Sequence, residues 1–295
     1  MTTKSDDGSG DGGAEEGQQN KQPPAEKPPL FIIPSYASSG SHFARALVAL
    51  ALHGGTGTLY AAKGLYETFE VGLKIFYDPH YEHPDVGGPG KPLLVKTHFP
   101  SIFSPGQDRF FNEGLMSNGR FKGIVQLVRN PGDCLLRNSA RWGCKSARNK
   151  TDCRAKHEKQ NCGTLGPSLW LKHQRFWLDL AERQSVPWFA LRYEDLLIEP
   201  RATVNRLLKF ANVSAEVLAN LDFTSERVVQ VLGEDRPKTS QVDVLGKAML
   251  NRGCPLTARQ KLHEQTRVVA RKLGYDFDAK EGVWTLAADR WANFE

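Results

Sequence analysis

From Leu30 onward the chain alternates short apolar runs, the length of strands, with longer stretches whose apolar residues recur at helical spacing. Leu30 to Ile33 is the first run and predicts a strand. Phe43 to Leu52 is apolar nearly all round, which predicts a helix with no face left for water. His53-Gly54-Gly55 ends it, glycine supplying the left-handed cap. Residues 54 to 90 are rich in glycine and aromatics and weakly periodic, although Gly72 to Tyr77 reads as a strand. That stretch is either a substrate-facing region or an ordinary irregular connection. Pro92 to Lys96 predicts a short buried strand ending at Thr97-His98, Phe110 to Met116 a helix, and Gly123 to Val128 the clearest strand of the chain.

The second half continues the alternation. Pro131 and Asp133 suit the first turn of a helix that starts after Arg129-Asn130. Ser168 to Arg183 is amphipathic, with Trp170, Phe176, Trp177 and Leu180. Trp188 to Leu191 predicts a strand, followed by Arg192-Tyr193-Glu194-Asp195, and Pro200 opens a helix over Arg201 to Phe210. Thr257-Ala258-Arg259-Gln260 has the form of a capping box, opening a helix that runs to about Lys272 and stops at Gly274. Strands alternating with helices over most of the chain predict an α/β fold of three layers, a central parallel sheet flanked by helices. In such a sheet ligands sit at the carboxyl ends of the strands. Ser35 to Ser41, Lys96 to His98 and Arg129 onward all fall at such ends.

Composition sharpens the domain boundary. Residues 1–29 are Gly, Ser, Asp, Glu, Gln and Pro with almost no apolar residue, so burial cannot offset the entropy of ordering them. They read as a disordered tail, and residues 30–295 as one folded domain. The tail holds three lysines and six acids, which leaves the folded part with about nine more basic than acidic residues. That surplus suits an anionic ligand: a nucleotide, a nucleic acid or an acidic polysaccharide. No stretch approaches the roughly 18 apolar residues of a membrane span, and the N-terminus lacks the basic-then-apolar form of a signal peptide. As written the chain reads as cytoplasmic; the Golgi lumen is the alternative if an anchor precedes it.

Three stretches carry candidate chemistry. Ser38, Ser39, Gly40 and Ser41 have little side-chain bulk and lie between a strand and a helix, the setting in which backbone N–H groups close around a phosphate. The same small residues also suit a plain turn. The spacing is not that of the nucleotide triphosphatase loop, and no lysine lies between Phe31 and Leu52, which disfavours an ATPase. Lys96 and His98 follow a buried strand, so a cation and an imidazole emerge together where acid/base chemistry beside an anion is possible. Arg129 ends a strand, and its guanidinium fork fits a phosphate bidentately. Arg137 and Arg141, four apart on the next helix, extend the basic face or form a solvated surface.

The stretch from Ser35 to Phe43 resembles the 5′-phosphosulfate loop of sulfotransferases that use 3′-phosphoadenosine 5′-phosphosulfate (PAPS), usually Ser-Tyr-Pro-Lys/Arg-Ser-Gly-Thr/Asn-Thr-Trp/Phe. Ser35, Tyr36, Ser39, Gly40, Ser41 and Phe43 match. Ala37 and Ser38 depart, and Ser38 removes the basic residue that usually meets the sulfonate. Lys96-Thr97-His98-Phe99-Pro100 is similar to the family's Lys-Thr-His-Leu-Pro, whose histidine is the catalytic base. Arg129-Asn130-Pro131 resembles its Val-Arg-Asn-Pro, in which the arginine, and a serine eight residues on, hold the 3′-phosphate. Here the eighth position is Arg137 and the nearest serine Ser139, and both stay eligible. Arg192-Tyr193-Glu194-Asp195-Leu196 resembles the segment whose tyrosine lies near the adenine. Thr224 with Ser225 resembles a later adenine contact, and Arg252-Gly253 stands for part of a C-terminal phosphate clamp.

The resemblance covers roughly residues 31 to 275 and implies a P-loop-like nucleotide-binding fold and transfer of a sulfonate from PAPS to a hydroxyl or amine, yielding PAP (adenosine 3′,5′-bisphosphate). His98 and Lys96 are the implied catalytic residues. Ser38, Ser39, Gly40, Ser41, His42, Phe43, Arg129, Arg137, Ser139, Tyr193, Thr224, Arg252 and Gly253 are the implied donor-binding residues. No metal is expected. With Ser38 uncharged, Lys96 is expected to carry more of the charge on the leaving phosphate. Thr56-Gly57, Leu59-Tyr60, Lys63-Gly64 and the Lys-Thr-His strand look most like the WSC-domain-containing sulfotransferases, without a WSC domain. The acceptor is a carbohydrate, protein or small molecule; nucleic acid is not expected, since residues 137 to 159 are basic but lack an ordered aromatic platform. The rival readings are a PAP- or PAPS-binding protein without turnover and a nucleotide-dependent kinase, which lacks its loop lysine.

Five cysteines cannot all pair within one chain. Cys144, Cys153 and Cys162 are evenly spaced in a hydrophilic basic segment and read as an insertion near the substrate mouth with at most one disulfide; no Cys-x-x-Cys knuckle is present. Asn149-Lys150-Thr151 and Asn212-Val213-Ser214 are glycosylation sequons only if the chain enters the secretory pathway.

Overall fold

The computed structural model describes residues 30–41, 43–44, 47, 93–97, 100, 121–144, 147–149, 152–153, 167–213 and 254–291. Four parallel strands form its sheet: β1 (Leu30–Pro34), β2 (Leu93–Thr97), β3 (Phe121–Val128) and β4 (Trp188–Arg192), in the order β2-β1-β3-β4. All four match predicted strands to within two residues. The helices between and after them are α1 (Pro131–Gly143), α2 (Ser168–Gln184), α3 (Tyr193–Ile198), α4 (Pro200–Phe210) and α5 (Leu256–Lys272). An antiparallel hairpin, β5 (Tyr275–Asp278) and β6 (Val283–Leu286), completes the described chain. The predicted strand Gly72 to Tyr77, the helix Phe110 to Met116 and most of the helix Phe43 to Leu52 lie outside the described residues; residues 43, 44 and 47 are helical.

The period of two along the strands divides the core into two layers. Phe31, Ile33, Val125, Leu127, Phe189 and Leu191 point to one face, where Leu196, Val204, Leu207, Leu208 and Trp291 pack on them. Val128 belongs to the other layer, with Cys134 and Leu135 of α1, Trp170 of α2, Leu262, Val269 and Ala270 of α5, and Trp284 of β6. Each such side chain contributes about 1.5–3 kcal/mol when fully buried. Both faces are covered, which is why the strands read as continuous apolar runs. Gln126 interrupts its run and is satisfied there: its amide donates to Gln174 and its oxygen accepts from Trp188 Nε1 at 2.7 Å.

One detail differs from the sequence reading. Thr257 is not an N-cap: α5 starts at Leu256 with Pro255 in the capping position, no side chain caps it, and the carbonyl of Pro255 takes the first amides. The ring of Pro255 presets the φ with which the chain enters the helix. Cys144 pairs with Cys153, one bridge within the basic segment among the described residues, and Cys254 is also disulfide-bonded. Spacing along the chain carries no information on which distant cysteine folds back to meet another.

Candidate active site

The strand register gathers the candidate residues at one edge of the sheet. Pro34 lies beside Thr97, and Val128 beside Arg192, so the carboxyl ends of all four strands align. Ser35 bridges them further: its amide donates to the Thr97 carbonyl at 2.9 Å, and it pairs with Leu127. The loop that follows turns sharply. Ser38 and Gly40 both have positive φ, 69° and 84°, the Ser39 amide donates to the Tyr36 carbonyl, and the Ala44 amide donates to the Gly40 carbonyl as the helix begins.

Side chains of α1 hold this loop from within. The Cys134 thiol donates to the Ala37 carbonyl at 3.4 Å and lies 3.6 Å from the Ser39 hydroxyl. Asn138 donates to the Tyr36 hydroxyl at 3.3 Å. Burial pushes the Cys134 thiol up to about 12, so it stays protonated and serves as a donor rather than a nucleophile. Burial likewise pushes the Tyr36 phenol up to about 12.

Tyr193 is the floor of the loop. Its ring leaves no room for a Cβ on Gly40, packs edge-on against Phe43 with centroids 5.8 Å apart, and carries the Arg129 guanidinium 4.4 Å above its centroid. Arg129 is buried and forms an ion pair with Asp133 at 3.3 Å. Burial alone would weaken its charge, but the Asp133 and Glu194 carboxylates outweigh that and raise its pKa, so it is always cationic. Its Nε is buried with no hydrogen-bond partner among the described residues. A buried guanidinium N–H without an acceptor is costly, and an anionic ligand is one way to satisfy it.

The structure therefore brings Ser38, Ser39, Gly40, Ser41, Phe43, Arg129 and Tyr193 to one strand-end cluster. Arg137 and Ser139 are partly exposed farther along α1. Lys96 is in β2, where its backbone alone is described; His42, His98, Thr224, Arg252 and Gly253 lie outside the described residues.

A family model described as "Sulfotransferase domain" matches residues 28–242. The chain belongs to the sulfotransferase family. No curated protein matches the sequence. Among solved structures, a retinol dehydratase in complex with androsterone and inactive cofactor PAP is 13% identical, with 83% of this chain and 82% of that chain covered and a TM-score of 0.41. The sulfotransferase domain of the Synechococcus PCC 7002 olefin synthase is 18% identical, covering 87% of this chain and 99% of that one, at a TM-score of 0.40.

Several residues around this sulfotransferase cluster escaped the sequence reading. Asn130 caps α1, its side-chain oxygen accepting the Asp133 amide at 2.9 Å. Glu194 accepts from Asn130, and Asp195 pairs with Arg192 at 3.2 Å and Arg290 at 2.8 Å. The signal was two acids directly after a buried strand, where an acid is rarely left unless it has partners. What the distant partners are, Asn130 at 64 positions and Arg290 at 95, no local pattern shows.

Proposed function

We propose that this sulfotransferase moves a sulfonate group from PAPS to a hydroxyl or amine of an acceptor, leaving PAP. The observation that carries the reading is Arg129: a buried, permanently charged fork stacked on Tyr193 at a strand end, with one N–H lacking an acceptor, beside a loop of small residues. Those residues fit a nucleotide phosphate. PAPS supplies an activated sulfonate when bound.

The chain's own residues divide the remaining work. The loop from Ser39 through His42 and the helix start behind it offer backbone donors to the 5′-phosphate. Arg129, with Arg137 or Ser139, reads the 3′-phosphate, while Phe43, Tyr193 and Thr224 flank the base and Arg252-Gly253 closes over a phosphate. His98 accepts the proton of the attacking hydroxyl, and Lys96 meets the charge that develops on the leaving oxygen. Orientation of two reactants in one cleft supplies much of the rate, and no metal is assigned a role. The acceptor is a carbohydrate, protein or small molecule bearing a hydroxyl.

The sulfotransferase domain is proposed to span residues 30–295, beyond the matched segment, because α5 and the hairpin share the core with α1 and α2. No described helix is long and apolar enough to cross a membrane.

Thermal denaturation with added ligands tests this reading. PAP at 100 times its dissociation constant should stabilise the protein by about 2.7 kcal/mol, and ATP with magnesium at equal concentration by much less. Equal stabilisation by ATP favours a kinase. An acceptor screen with labelled PAPS then identifies the class that takes up label, and no transfer to any class leaves a binding protein.

A further inference from the structure

The matched family segment ends at residue 242, yet a residue beyond it reaches the donor site. Tyr275, the first residue of β5, donates its hydroxyl to Glu194 Oε2 at 2.6 Å, and both side chains are buried. The other oxygen, Oε1, accepts from the Asn130 backbone amide at 3.0 Å and the Asn130 side-chain amide at 3.1 Å. One carboxylate thus takes three hydrogen bonds, two of them from the residue that follows Arg129.

The arrangement is two facing dipeptides. Arg129-Asn130 comes from the end of β3, and Tyr193-Glu194 from the start of α3. Arg129 stacks on Tyr193 while Asn130 is hydrogen-bonded to Glu194, so the two contacts fix the two chain segments relative to each other. Asn130 in turn caps α1. The unit bearing Tyr275 is itself tied down beside α3: Arg192 donates to the Leu273 carbonyl at 2.7 Å and to the Arg290 carbonyl at 2.9 Å, and Arg290 donates to Asp195. A buried carboxylate with one oxygen unsatisfied would find another rotamer or another partner, and the Tyr275 hydroxyl removes that freedom.

We propose that Tyr275 and Glu194 are positioning residues for the donor site, holding Asn130 so that the Arg129 guanidinium stays aimed at the 3′-phosphate of the nucleotide. The C-terminal unit is thereby a working part of the nucleotide site, although it touches no nucleotide itself. The inference rests on the assignment of Arg129 to the 3′-phosphate, and the test separates the two.

Tyr275→Phe removes one hydroxyl and leaves the ring in the core. Dissociation constants for PAP and for adenosine 5′-monophosphate, which lacks the 3′-phosphate, are measured by calorimetry on wild type, Tyr275→Phe, Glu194→Gln and Arg129→Lys, with urea denaturation of each. Misplacing a supporting group commonly costs about 10-fold to 100-fold. Tyr275→Phe should weaken PAP at least about tenfold and leave adenosine 5′-monophosphate within about twofold, whereas a purely structural loss weakens both alike. Glu194→Gln, which keeps an acceptor for Asn130 and can orient its amide to Tyr275, should fall between wild type and Tyr275→Phe. Unchanged PAP affinity in Tyr275→Phe, or equal weakening of both nucleotides, overturns the positioning role. Wild-type protein that does not bind PAP, or Arg129→Lys that binds it as well as wild type does, overturns the 3′-phosphate assignment and the inference with it.

Discussion

Gly40→Ala perturbs the loop at the point where backbone and site meet. Gly40 has φ 84°, and a Cβ in that left-handed region costs about 1–2 kcal/mol. The new methyl would overlap Cδ2 and Cε2 of Tyr193, a ring pinned between Phe43 and the Arg129 guanidinium. Overpacking of this kind adds about 1–3 kcal/mol, so the variant should lose about 2–5 kcal/mol in all. At an unfolding entropy of about 2.1 cal/mol/K per residue, each kcal/mol lowers Tm of a chain of this size by about 2 °C, which predicts a fall of roughly 4 to 10 °C. Because the ring that moves also carries Arg129, PAP binding should weaken too. A tenfold weaker dissociation constant, at PAP 100 times the wild-type value, cuts the ligand stabilisation from about 2.7 to about 1.4 kcal/mol. Scanning calorimetry with and without PAP measures both effects. Gly282→Ala is the matched control: φ is 66° and its Cβ would overlap Leu256, but it sits in the turn between β5 and β6. It should lower Tm and keep the full PAP increment. An unaltered Tm in Gly40→Ala, or a full PAP increment there, refutes the account of the loop.

His98→Ala should lose about 100-fold to 10,000-fold in turnover with PAP affinity nearly intact, since a general base acts in the transition state; steady-state kinetics with full activity would remove His98 from the mechanism. For Cys134, burial pushes the thiol up from 9.0 to about 12. The folded pKa lies above the unfolded one, so the contribution to stability is fully present below about pH 9 and is lost as pH rises from about 9 towards about 12. Urea midpoints should therefore fall more steeply over that window for wild type than for Cys134→Ala. The folded protein should also resist iodoacetamide at Cys134 at about pH 8, and rapid alkylation there would contradict its burial behind the loop.

Much of the fold was legible because it rests on local patterns. The runs at Leu30, Pro92, Gly123 and Trp188 are short, apolar and followed by polar punctuation, and each is a strand of the parallel sheet. Trp170, Trp177 and Leu180 recur at helical spacing and are buried in α2. The family was legible from three motifs in order. The short helix α3 and the hairpin β5–β6 were not: six residues make fewer than two helical turns, and Asp276 and Asp278 interrupt the apolar run of β5. Thr257 misled for a related reason: a capping box and a proline entry both precede helices, and which residue caps is decided by how the preceding chain arrives.

The sequence by itself determined which residue types stand at the strand ends: small residues at Ser38 to Ser41, a cation and an imidazole at Lys96 and His98, and a guanidinium at Arg129. It also determined that serine replaces the usual basic residue of the loop. Only the tertiary structure decided what surrounds Arg129. Tyr193 lies beneath it, Asp133 pairs with it, and Glu194 locks the next residue through Tyr275, 81 positions further along the chain. The reason is physical. Periodicity reports which face of an element is buried, whereas a buried polar group is specified by partners that must come from other elements, and the partner's distance along the chain is set by how the layers stack.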